Sequence, residues 1–504
     1  MHIQPFLLAL VAVLVMGAAL PAVAVQSAKA TAKHIILIIG DGRQFLDEIA
    51  TSRYLYGTDD GLSFHGLSYS GNVATWDVTT YDNHASRLNR PLYDPHAIDP
   101  RMGYDWRQAG MVPYPLGGAA KAIGYLIPPH DPDHPFATDS ASSATAMATG
   151  YKTDDGRIAW LPGTPAPVAG QLKTIAQLLR DRLGYAIGVV STVPFSHATP
   201  AAMVSHNRKR GNYHEIASEI LTAVKPEVVI GGGFPGISGT NAFRFLSQAT
   251  YDAVRTDSHY QVVERQTGVD GALSLLEAAQ TAVAGGKRLF GLYGGPLGNF
   301  ESPLPHDLPG TPLVTRATTE NPLLKDCILA ALQVLTQDPD GLFLMAEQGD
   351  IDWANHANDF SRMVGNTWDL HEAVKTVVDY VNRPGDSMDW TNTLLLVVAD
   401  HATGYLRLEK RLGAGDLPVQ IADQDRGYTY PNGEVTYASH NHSNELVRLY
   451  AAGVRAKDLL KSTEGTWYPC TKIIDNTQLF HVMAEAASVP VQSPLRVVRR
   501  PCRH

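Results

Sequence analysis

Six short runs of apolar, largely β-branched residues recur along the 504-residue chain: HIILIIG (34 to 40), YAIGVVS (185 to 191), EVVIGG (227 to 232), RLFGLYG (288 to 294), GLFLMAE (341 to 347) and NTLLLVVAD (392 to 400). They are continuously apolar, as strands covered on both faces must be. The stretches between them, such as LKTIAQLLRDRLG, GALSLLEAAQTAVAGG and HEAVKTVVDYVNR, carry helical spacing. Together they predict an α/β fold, a central, mostly parallel sheet with helices on both faces. In such sheets ligands sit at the carboxyl ends of the strands.

Those ends carry chemistry. Asp41 follows the first run, Glu347 closes the fifth, and Asp400 and His401 close the sixth, whereas the fourth ends in glycines. Residues from about 79 to 135 break the pattern, being rich in Pro, Gly, Tyr and His without sustained periodicity, and are expected to form an insertion over the rim of the sheet. A single catalytic domain is expected over residues 31–504.

The first 24 residues read as a secretory signal peptide, with an apolar stretch from Phe6 to about Leu20 and the small-x-small pattern Ala22-Val23-Ala24. A periplasmic or secreted protein is therefore expected, with no membrane association after cleavage. Cys327 falls on the apolar side of a helical pattern and reads as a core thiol, while Cys470 and Cys502 are candidates for a disulfide in an oxidising compartment. The net charge of -9, without any basic run, argues against nucleic acid as a stable partner.

Four stretches supply ligand-type side chains. In EQGDIDWANHAND, Asp352 and His356 stand four apart, so a helix starting there puts both on one face. A carboxylate and an imidazole one turn apart form a common zinc half-site, although the spacing also arises by chance. ADHATG adds Asp400 and His401, SHNHSNELVRLYAAG adds His440 and His442 before another apolar strand, and IIGDGRQ sets Asp41 between glycines, where the backbone can approach a ligand closely. A fifth stretch, ATDSASSATAMATG (137 to 150), puts Asp139 and Ser140 at the expected start of a helix of small residues. Free N–H groups in the first helical turn favour a phosphoryl group.

The motifs IILIIGDG, TDSASSATAMATG, HATPAAMVSHNRKR, EQGDIDWANHAN, VVADHATG and HSNELVRLYAAG, in this order between about residues 34 and 453, resemble the alkaline phosphatases, metal-dependent phosphomonoesterases. The resemblance implies a small-molecule phosphate monoester as substrate, Ser140 as nucleophile and Arg210 as phosphate clamp. It implies two zinc ions, one held by Asp352, His356 and His442 and the other by Asp41, Asp400 and His401, and one magnesium ion held by Asp41, Thr199 and Glu347. His442 is preferred to His440 by its spacing to the following strand, and Arg210 to Arg208 by its spacing from Thr199. His197 is expected outside the magnesium ligand set, Arg43 as an exposed charge and Trp353 as a residue of the cleft. A homodimer is an open expectation.

Two zinc ions about 4 Å apart can stabilise both the attacking and the leaving oxygen of an in-line displacement. The planar fork of an arginine grips two phosphoryl oxygens at once. Two other readings stay open at the level of sequence: a phosphodiesterase sharing the same metal floor, and a non-catalytic exported metal-binding protein. Ser140 together with Arg210 favours monoesters.

Overall fold

The computed structural model describes residues 30–129, 135–164, 169–236, 242–385, 387–424 and 427–498. The expected signal peptide and Cys502 lie outside the described residues. Each of the six apolar runs forms a strand of one ten-stranded sheet. In chain order its strands are β1 (His34–Gly40), β2 (Tyr69–Ala74), β3 (Ala186–Pro194), β4 (Val228–Gly232), β5 (Tyr260–Glu264), β6 (Arg288–Leu292), β7 (Leu342–Gln348), β8 (Thr393–Val398), β9 (Val447–Gly453) and β10 (Ile473–Asp475). They lie side by side as β10-β2-β9-β8-β1-β7-β3-β4-β6-β5.

β9 pairs antiparallel with both β8 and β2, and every other pairing in the sheet is parallel. The reversal has a consequence for the site. The chain leaves β8 at its carboxyl end, makes a long excursion and re-enters the sheet running the other way. The start of β9 therefore lies at the same rim as the carboxyl ends of β1, β7 and β8.

Successive residues of β1 alternate between two apolar cores, Ile35, Leu37 and Ile39 on one face and Ile36 and Ile38 on the other. This two-sided burial explains why the central strands are continuously apolar. Cys327 is free and fully buried in the second core. The helices that matter for the site are α1 (Phe45–Tyr56), α2 (Val78–Arg87), α3 (Ser140–Thr149), α4 (Ala198–Val204), α5 (Asp350–His356) and α6 (Phe360–Val381).

The stretch 79–135 is more ordered than its composition predicts. It begins inside α2, whose N-terminus is capped by the Asp77 carboxylate accepting from Thr80 N–H. A third core gathers here from Trp76, Tyr81, Tyr104, Tyr125, Trp467 and Tyr468. Ile98 bridges to Val497, so the C-terminal segment packs against the insertion. The helix escapes a reading by periodicity because its apolar face is only Val78, Tyr81 and Ala85 in an otherwise polar run. Cys470 is disulfide-bonded.

Candidate metal centre and nucleophile

Strand register brings the polar residues to one level. Ile39 of β1 pairs with Val398 of β8 and with Glu347 of β7, and Glu347 pairs with Ser191 of β3. Asp41 and Asp400 each stand two residues beyond a paired position, so both emerge at the rim beside Glu347. Gly42 has φ +67, and a Cβ there would sit 2.6 Å from Asp352 Oδ1, a space only glycine leaves free. Its N–H donates to Asp400 Oδ1 at 3.0 Å, and its carbonyl accepts from Thr403 N–H at 3.1 Å.

His401 is the hub. Its Nε2 lies 3.2 Å from Asp400 Oδ2, 3.4 Å from Asp41 Oδ1 and 3.1 Å from Ser140 Oγ. Its ring stacks on that of His442, with centroids 3.6 Å apart. Beyond His442, His356 Nε2 stands 3.1 Å from His442 Nε2 and 3.2 Å from Asp352 Oδ2, while His442 Nε2 lies 3.6 Å from Asp352 Oδ1. Two sets, Asp41-Asp400-His401 and Asp352-His401-His442, each bring their ligand atoms within 4.8 Å of one another. The first is the expected second zinc set; the other has His401 where the expected set has His356, which closes on Asp352 and His442 from the far side.

Hydrogen bonds aim these side chains. Thr403 Oγ1 donates to Asp352 Oδ1 at 2.6 Å, and Ser191 Oγ donates to Glu347 Oε2. The other ring nitrogens of His442 and His356 face the carbonyls of Thr138 and His440. With Nδ1–H donating there, Nε2 of each is left as the free ligand atom. His440 thus serves the site through its backbone.

Ser140 opens α3, with Asp139 as N-cap accepting from Ser142 N–H at 2.9 Å. Arg210 reaches across to donate to Asp139 Oδ2 at 2.8 Å. Arg208 is exposed, with its charge outside this pair. Ser143 Oγ donates to the Asp400 carbonyl at 2.6 Å, and Asn476 Nδ2 donates to Ser143 Oγ at 3.0 Å. The small residues of this helix therefore do more than permit close packing. Ser143 pins the helix bearing the nucleophile to the strand end bearing two of the ligands.

Several oxygens at this rim are buried without a hydrogen-bond partner: Asp41 Oδ1, Asp400 Oδ2, Glu347 Oε1 and Thr199 Oγ1. Burial and the charges of Asp400, Asp352 and Glu347 push the Asp41 carboxyl well above the usual range. Burial, reinforced by Asp352, lifts Asp400 to about 7, and burial lifts Glu347 to about 6. At Asp352 burial opposes ionisation, but His356, His442 and His401 outweigh it and hold the carboxyl well below its ordinary value. Crowded carboxylates that repel one another, with unmatched oxygens between them, fit bound cations. The mixed nitrogen and oxygen donors around His401 and His442 suit zinc, and the oxygens of Asp41, Thr199 and Glu347 suit magnesium.

Arg43 departs from expectation. It is 1% exposed, its Nη1 2.9 Å from Glu48 and its guanidinium over the Phe64 ring. A charge directly after a strand-end turn is expected to face water, but the chain turns inward at the end of the central strand β1, where Glu48 compensates it. His197 stands at the N-cap position of α4 without a capping side-chain hydrogen bond, its ring stacked on Tyr213, and burial lowers it to about 3. Trp353 is 41% exposed beside the cleft. From sequence Ser143 reads only as a small residue that lets the helix pack closely, and Thr403, Ser191 and Asn476 escape notice, because lone hydroxyls and amides carry no spacing signal. It also passed over Asp77 and Asp155, which gather with Asp139 within 4.8 Å.

A family model described as alkaline phosphatase matches residues 127–410. Alkaline phosphatase 3 of Bacillus subtilis is 29% identical over 283 residues, 55% of this chain and 51% of that protein, so the chain spans about half the length of that relative. The alkaline phosphatase of Escherichia fergusonii is 28% identical over 385 residues, 70% of this chain and 74% of that protein. The structure of alkaline phosphatase from the Antarctic bacterium TAB5 superposes with a TM-score of 0.57 at 20% identity, covering 92% of this chain and all of that one, a likeness of fold.

Proposed function

Because the chain belongs to the alkaline phosphatase family, we propose that it is an exported enzyme hydrolysing phosphate monoesters through a phosphoserine at Ser140, with two zinc ions and one magnesium ion. The observation that carries this reading is the position of Ser140 Oγ, 3.1 Å from His401 Nε2 at a helix N-terminus, beside carboxylates that keep buried oxygens without a hydrogen bond. When bound, the metal ions stabilise the attacking and leaving oxygens and make the serine alkoxide accessible at moderate pH.

The residues of the chain do the rest. Ser140 Oγ attacks phosphorus as the bond to the leaving alcohol breaks, and water then cleaves the phosphoserine to release inorganic phosphate. Free N–H groups in the first turn of α3 face the phosphoryl oxygens, whose charge the helix dipole favours. Arg210 grips two of those oxygens, and Asp139 fixes its guanidinium at 2.8 Å so that little side-chain freedom remains to be lost on binding. Ser143 keeps Ser140 and His401 in register through the Asp400 carbonyl. Phosphate monoesters are among the slowest substrates to react unaided, so several such contributions must act together.

The zinc sets are Asp352, His356 and His442, and Asp41, Asp400 and His401. Asp41, Thr199 and Glu347 hold magnesium, with His197 outside the ligand set. Export rests on the apolar N-terminal segment. No helix among the described residues is long and apolar enough to cross a membrane. Hydrolysis of p-nitrophenyl phosphate and of its bis-ester, with and without chelator, tests the reading. The monoester should turn over far faster, chelation should abolish the reaction, and zinc with magnesium should restore it. Faster diester hydrolysis, or indifference to the chelator, overturns it.

A further inference from the structure

Two residues after the nucleophile, Ser142 is 1% exposed and sets its Oγ 2.6 Å from Asp139 Oδ1 and 3.0 Å from Asp77 Oδ2. Its N–H donates to the same Asp139 Oδ1 at 2.9 Å. Two donors of one residue thus hold one oxygen of the Asp139 carboxylate, and the other, Oδ2, is left to accept from Arg210 Nη1 at 2.8 Å. An N-cap needs only the N–H. The hydroxyl is an addition, and it makes the shortest of these three contacts.

The addition matters because Asp139 is crowded: Asp77 and Asp155 bring carboxyl oxygens within 4.8 Å of it. Burial opposes its charge as well, yet Arg210 and the Ser142 hydroxyl outweigh burial and bring the carboxyl down to about 2, whereas burial lifts Asp77 to about 6 and Asp155 to about 8. Of three neighbouring carboxyls, the one most firmly ionised is the one paired with Arg210. A hydroxyl has a single proton to give, and the 2.6 Å contact assigns that of Ser142 to Asp139. Asp77 has donors of its own. Its Oδ1 accepts from Thr80 N–H at 2.7 Å as the cap of α2, and Thr138 Oγ1, 2.9 Å from Ser142 Oγ, brings a second hydroxyl proton to the group. The terminal torsion of an aspartate is soft, so a carboxylate without the Ser142 hydroxyl is free to turn, and the guanidinium paired with it turns too.

We propose that Ser142 is a positioning residue for the phosphate clamp: its hydroxyl fixes the turn of the Asp139 carboxylate and thereby the aim of Arg210. The proposal rests on the monoester reading given above, in which Arg210 grips the phosphoryl oxygens. Its test is a double-mutant cycle on the metal-loaded protein, comparing wild type, Ser142→Ala, Arg210→Ala and the double variant by calorimetric binding of inorganic phosphate and by KM and kcat for p-nitrophenyl phosphate. Ser142→Ala should weaken phosphate binding about three- to tenfold. KM should rise by a similar factor while kcat falls far less, since a clamp grips ground state and transition state alike. In the Arg210→Ala background the same substitution should change phosphate binding by less than about twofold, because the group through which Ser142 acts is gone. An equal loss in both backgrounds, or no loss in the wild-type background, overturns the role of Ser142 and leaves the monoester reading intact. A wild type that hydrolyses no monoester overturns that reading and the proposal with it.

Discussion

Two buried polar regions of this molecule meet at Ser143 of α3 and are built on opposite principles. In one, Lys152 is fully enclosed, its Nζ donating to Asn476 Oδ1 at 2.6 Å and to the Trp76 carbonyl at 2.7 Å, with Asp475 3.2 Å away and the Trp76 ring 4.0 Å from it. None of Lys152, Asp475, Asn476 and Ser143 has an unmatched buried atom. At the rim, Asp41, Asp400, Glu347 and Thr199 each keep a buried oxygen without a hydrogen-bond partner, and His401 Nε2 alone stands between the two aspartates. The difference separates structure from function. Charge that is matched within the chain holds elements together, and charge left unmatched in a well-packed chain marks where something else binds.

The largest effect should separate the two regions at Ser140. Ser140→Ala is expected to lower turnover by about three orders of magnitude or more while the metal content measured by mass spectrometry stays that of the wild type. Loss of metal along with activity would show that the serine is part of what holds the rim together. Lys152→Met should do the reverse, leaving Asp475 buried and unpaired at a cost of about 3–5 kcal/mol in chemical denaturation. Adding Asp475→Asn should recover part of that loss. Denaturation unchanged in Lys152→Met would break the contrast, because the matched network would then contribute nothing.

A smaller effect concerns the clamp. Arg210→Ala should weaken inhibition by inorganic phosphate by about tenfold to a hundredfold, since it removes charge-assisted bonds. Arg208→Ala should change it by less than about twofold. The reverse ranking moves the clamp to Arg208.

The smallest effect is a pH slope. In the metal-free chain Asp400 at about 7 and Glu347 at about 6 keep protons that the unfolded chain, with ordinary values of 3.8 and 4.5, has already released. Stability should therefore fall as pH rises through that window. At His356 burial works against protonation, but Asp352 outweighs it and raises the imidazole to about 9; this contribution is present below 6.5 and lost as pH passes 9. Each proton accounts for at most about 1.4 kcal/mol per pH unit. Bound metal replaces those protons, so the gap in melting temperature between metal-loaded and chelated protein should widen from about pH 5 to pH 8. A constant gap would mean that the rim carboxylates are not the metal ligands.

The unevenness of what the sequence discloses follows the same division. Central strands are legible because burial on both faces leaves a continuous apolar run, as in HIILIIG. β2, with the sequence YSGNVA, and the edge strand β5, with four half-buried residues, lack that mark and escape such a reading. Ligand-type residues at strand ends are legible because a carboxylate or imidazole directly after a buried strand is unusual. The hydroxyls and amides that aim them, Ser143, Thr403 and Asn476, become visible only when distant segments meet: Ser143 and Asp400 are 257 residues apart. Arg43 shows the same limit in reverse, since its partner Glu48 becomes decisive only once the turn's direction is known.

Anomalous diffraction from crystals of the metal-loaded protein, recorded at the zinc edge, tests the central claim most directly. Two strong peaks should appear beside Ser140, one among Asp352, His356 and His442 and the other among Asp41, Asp400 and His401, with no zinc signal at Glu347 and Thr199. Absence of both peaks, or a third zinc peak bound by His197 at about 2.0 to 2.1 Å, would contradict it.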